Sequence, residues 1–102
     1  MMKPDQKKFD EELELRLLAN GNWSAHKRIF YHYALSIYDF CLLKLSEDRV
    51  DFYLTKLSNT LWHRKSEFSN KKKLKSFLGS LHHEMILEGI YKSIDEKEQG
   101  IP

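Results

Sequence analysis

The chain has 102 residues, room for one domain around a single core. Apolar residues make up 41% and aromatics 13%, too many for a disordered segment, while a net charge of +2 and a pI near 8.6 fall short of a dedicated DNA-binding domain. Two prolines, Pro4 and Pro102, and four glycines leave the chain without the turn residues about every eight to twelve positions that a β-sandwich or barrel requires.

The pattern predicts a single all-α domain over 1–102, a compact bundle of about four helices with a central, two-faced second helix. The first helix is expected from about Asp5 to Ala19, stopping at Asn20-Gly21. Its apolar positions Phe9, Leu13 and Leu17 recur every fourth residue, with Leu15 and Leu18 off that line, and Asp10, Glu11, Glu12 and Glu14 make the outer surface acidic.

The second helix is expected to start after Ser24 as N-cap and to reach about Leu45. Ile29, Phe30, Tyr33, Ala34, Ile37, Phe40 and Cys41 form one apolar stripe; Tyr31, Leu35, Tyr38, Leu42 and Leu45 form a second, roughly 120° round the helix. A helix apolar around most of its circumference is normally a central one, so this segment reads as the spine of the domain.

The third helix is expected to begin at Ser46, whose hydroxyl is placed to cap Asp48 or Arg49, with Val50, Tyr53, Leu54, Leu57, Leu61 and Phe68 buried. Phe52 and Trp62 project off that stripe; exposed, they are candidate protein-interface anchors. Asn70 reads as the cap of a fourth helix from Lys71 to about Ile94, with residues 1–4 and 96–102 frayed.

The fourth helix changes face. Leu74, Phe77, Leu78, Leu81 and Met85 lie on one side, and Leu87, Ile90, Tyr91 and Ile94 on the opposite one. Either the helix breaks near His82-His83 or wedges between two layers of its own domain, or the second group is a protein interface, most simply with a second copy of the chain.

Charge is unevenly distributed. Trp62 to Lys75 holds six cations, Arg64, Lys65, Lys71, Lys72, Lys73 and Lys75, against Glu67, a local charge of +5; Glu84 onward carries −3. Lysines in the first turn oppose the helix dipole, which gives this corner two readings: a solvated surface, or a contact for phosphates of a nucleic acid, with Trp62, His63 and Phe68 interleaved.

No pattern of residues carries catalysis, and the chain is not expected to be an enzyme or to use a cofactor. His82 and His83 are adjacent and point about 100° apart, there is no His-x-x-x-His pair, and no metal site is expected. Cys41 is the single cysteine, so it forms no intrachain disulfide and reads as a small buried hydrophobe. The first residues lead into acids with no apolar stretch behind them, and no apolar run approaches the ~18 residues of a membrane span, so a cytoplasmic protein without a membrane partner is expected. Two functions follow: a non-enzymatic interaction module, meaning a small adaptor, inhibitor or regulator binding another protein or a second copy; or a nucleic-acid-associated module, including a small subunit of a nucleoprotein complex, using Arg64 to Lys75.

Overall fold

A computed structural model describes the backbone of residues 9–99 and the side chains of residues 9–94. It is an all-α bundle of four helices, α1 (Glu11–Ala19), α2 (Trp23–Lys44), α3 (Asp48–His63) and α4 (Lys71–Gln99), with one 3-10 turn at Glu67–Ser69 before α4. No strand occurs among the described residues. Expected features at residues 1–8 and 100–102 lie outside the described residues.

The local chemistry of the joints explains where each helix stops. Asp10 caps α1 by accepting the Leu13 amide at 3.2 Å. At the other end Gly21 takes a φ of +83°, and the Gly21 and Asn22 amides reach back to the carbonyls of Leu18 and Leu17 at 2.8 and 3.0 Å. That pair of bonds is a Schellman ending, which glycine adopts without a Cβ penalty. Asn22 then caps α2 by accepting the Ala25 amide at 3.0 Å, so the expected cap, Ser24, lies inside the first turn. Ser46 does not cap α3 either. It stands one residue ahead of the cap position and contributes its carbonyl to the Arg49 amide at 3.1 Å. Asn70 caps α4 as expected, its side chain accepting the Lys72 amide at 2.9 Å.

The core is built from Leu15 and Leu18 of α1, Ala25, Ile29, Ile37 and Cys41 of α2, and Val50, Tyr53, Leu57 and Leu61 of α3; Phe68 and the Leu74, Phe77, Leu81 and Met85 face of α4 complete it. Phe68 sits in the 3-10 turn, stacked on Phe77 with ring centres 5.6 Å apart. In α1 the buried residues lie off the every-fourth line, and Glu14 does not belong to the outer surface as expected. Leu15 and Leu18 enter the core beside Glu14, which is buried against Arg28 of α2, while Leu13 is exposed. Phe9 and Leu17 pack only partly on the core, Phe9 stacking on His32 at 4.0 Å.

The second stripe of α2 is not covered. The molecule measures 58 × 37 × 20 Å, and the short dimension is about two helix diameters. A slab two helices thick has no middle layer, so a helix within it buries one face. Ile37 is 8% exposed, as a core position should be, whereas Tyr31, Leu35, Tyr38 and Leu42 of the second stripe are all exposed. Leu45, past the end of α2, turns inward and is buried. The fourth helix is unbroken through His82-His83 and continues to Gln99, five residues beyond the expected end. Among the described residues, neither a break nor a second layer of the domain covers its second apolar group.

Candidate functional site

The position of α4 is set by its inner face and by ion pairs to α3. Arg49 grips Glu88 with two N–H donors at 2.7 and 2.8 Å, the Tyr53 hydroxyl donates to the same carboxylate at 2.8 Å, and Lys56 meets both oxygens of Glu84 at 2.8 Å. Glu84 and Glu88 are one turn apart on α4, and Lys56 and Arg49 two turns apart on α3 in the opposite order, which locks the helices antiparallel. The Arg49 guanidinium, assisted by Tyr53, holds the Glu88 carboxyl below the usual carboxylate range. Burial, followed by the bond to Glu88, pushes the Tyr53 phenol up to about 12. The Lys92 ammonium bonds the Leu45 carbonyl and ties α4 to the end of α2.

With that side of α4 fixed inward, Leu87, Ile90, Tyr91 and Ile94 share the other side and stand exposed; Ile90 is 50% and Tyr91 64% accessible. Two adjoining hollows follow the gap between α2 and α4. The first, of about 300 Å³, is lined by Tyr33, Ile37 and Phe40 of α2 and by Leu78, Leu81 and Met85 of α4. The second, of about 500 Å³, carries on from Phe40 to Ile86, Ile90 and Ile94. Together they form one apolar trough opening onto the exposed end of α4.

The other two candidate anchors lie on α3. Phe52 stays exposed on α3 with the Arg49 guanidinium 4.2 Å from its ring centre, and α1 does not cover it. Trp62 is half-buried in a cluster that the sequence reading missed. Trp23 packs edge-on against it at 4.9 Å, His26 lies at 5.6 Å, and the Lys65 ammonium sits 4.3 Å above the ring. His26 is buried, bonds the Ser58 carbonyl through Nε2 at 2.9 Å and leaves Nδ1 without a partner. Since the carbonyl can only accept, Nε2 carries a proton. The periodicity of α2 places Trp23 and His26 in its first turn but gives no sign of the α3 tryptophan they meet.

The basic corner is partly neutralised within the chain. Arg64 binds Glu67 with two bonds of 3.1 and 3.2 Å and lies 5.0 Å over Phe68. Lys65 is taken up by Trp62, donating to its carbonyl at 3.3 Å, and Lys71 pairs with Glu12 of α1 at 3.2 Å. Arg64, with a smaller contribution from Lys73, holds the Glu67 carboxyl below its ordinary range. Lys72, Lys73 and Lys75 remain exposed without an ion pair among the described residues. The amides of Lys72 and Lys73, which an anion at this helix start would use, already bond the Asn70 side chain and carbonyl at 2.9 and 3.0 Å.

Other chemistry finds little support in the geometry. Cys41 is fully buried, and burial pushes its thiol up, away from the reactive thiolate. Among the described residues no group of three His, Cys, Asp or Glu side chains is placed to hold a metal ion, and no helix is long and apolar enough to cross a membrane. The fold and surfaces define a helical domain with unsatisfied apolar faces. Comparison with family models, curated proteins and solved structures finds no match that would place it in a family.

Proposed function

We propose that the chain is a non-enzymatic protein-interaction module, a cytoplasmic adaptor, inhibitor or regulator, whose partner protein docks on the exposed end of α4. The observation that carries this reading is the run of Ile86, Leu87, Ile90, Tyr91 and Ile94, all exposed on an intact helix and continuous with the apolar trough against α2. Clustered apolar side chains on a water-facing helix lower solubility unless something covers them. The trough has the form that receives an amphipathic helix presenting an apolar ridge. A nucleic-acid role is the weaker reading, because three of the six cations in the basic corner are engaged inside the chain.

The test is capture from nuclease-treated native lysate by three purified chains. Wild type should retain a partner, Lys72→Gln/Lys73→Gln should retain it equally, and Ile90→Asp should lose it while keeping its helical circular dichroism and thermal midpoint. Capture that disappears with nuclease or with the lysine changes, and that ignores Ile90→Asp, would overturn the proposal in favour of nucleic acid.

A further inference from the structure

The outer face of α2 presents a second surface with a different character. Tyr31, Leu35, Tyr38 and Leu42 are spaced by four, three and four residues, so they fall within about 60° of one another on the helix. Tyr31 is 70% exposed and Leu35 65%, and the stripe lies away from the core face formed by Ala25, Ile29 and Ile37. Spacing of this kind is the seam of a two-helix coiled coil.

We propose that this stripe is the seam of a homodimer in which α2 of one chain packs antiparallel on α2 of another. The proposal goes beyond the docking of a partner on α4 and is independent of it. Three observations point to a second copy. First, the stripe is complementary to itself. A twofold axis midway between Ser36 and Ile37 sets Tyr31 opposite Leu42 and Leu35 opposite Tyr38, so each layer pairs a large ring with a smaller side chain. Second, charge at the two ends favours the antiparallel order. Exposed Lys27 precedes the stripe, and exposed Lys44, Glu47 and Asp48 follow it with a net charge of −1, so antiparallel copies bring opposite charges together, whereas parallel copies would align like with like. Third, the area is sufficient. At roughly 150–250 Å² per large side chain, the exposed fractions amount to about 400 Å² per chain. Two copies, with the flanking stems of Lys27, Arg28 and Asp39, reach the ~1,000 Å² that a specific interface needs.

Sedimentation equilibrium of the full chain tests the proposal. Wild type should sediment at twice the 12.2 kDa of one chain at micromolar concentration. Leu35→Asp should sediment as a monomer with unchanged helical content, and should still capture the α4 partner. Lys27→Glu should weaken the dimer severalfold, and Glu47→Lys/Asp48→Lys in the same chain should restore it. Leu42→Asp provides a second break at the other end of the seam. A wild type that stays monomeric at high micromolar concentration overturns the proposal. So does a dimer that survives Leu35→Asp and Leu42→Asp but is lost in Ile90→Asp, since that places the contact on α4. Unfolding of both α2 variants would assign the stripe to the monomer's own core and overturn it as well.

Discussion

At the scale of single residues, buried aliphatic positions and a few polar contacts carry the fold. Ile37 is nearly enclosed between α2 and its neighbours, and Ile37→Ala should cost about 2–5 kcal/mol, read from urea unfolding. Glu88 is the most connected acid, accepting from Arg49 and Tyr53. Glu88→Gln loses the ion pair and should cost about 1–2 kcal/mol at neutral pH, because the site is half-open to water and solvent screens it. The sign with pH follows from its lowered pKa. The ionised carboxylate stabilises the fold above the ordinary glutamate value of about 4.3, and that contribution is lost as pH falls through the lower folded value. Unfolding curves of wild type and Glu88→Gln should therefore converge on acidification; a gap that stays constant down to pH ~2 would show that the charge of Glu88 plays no part.

Helices and their faces were legible to different degrees. Apolar periodicity is a property of one helix, so the first stripe of α2, the Val50 to Leu61 face of α3 and the Leu74 to Met85 face of α4 were readable from spacing alone. Whether a second stripe is covered depends on how many layers the bundle has, which no single helix records; on the second stripe of α2, Tyr31, Leu35, Tyr38 and Leu42 are exposed. The outer placement of Glu14 on α1 failed for a related reason. Glu14 reads as a solvent residue until Arg28 of another helix is found beside it. In the site, the exposed group on α4 was visible in the sequence, whereas the Arg49 and Lys56 pairs to Glu88 and Glu84 were not, since they join residues 28 and 39 positions apart. Element-scale energetics give one further prediction. Gly79 lies inside α4, and a Cβ there would meet nothing within 4 Å. Gly79→Ala should thus raise stability by about 0.5–1 kcal/mol through helix propensity, measured as a higher thermal midpoint. A lower midpoint would mean that α4 is not a continuous helix through this position.

For the molecule as a whole, the thin slab explains both the core and the surfaces. Four helices in two layers bury enough apolar surface to fold, yet leave the outer face of α2 and the far end of α4 in water. The central claim is that the α4 face is covered by a partner protein, and the buried cysteine permits a direct test. Cys41 is inaccessible, so Ile90→Cys introduces the one readily alkylated thiol of the chain. Its alkylation should be rapid in the purified protein and, measured relative to Asn59→Cys at an exposed position on α3, should fall severalfold in nuclease-treated native lysate. An unchanged rate in lysate, under conditions where the fold is intact, would contradict the claim.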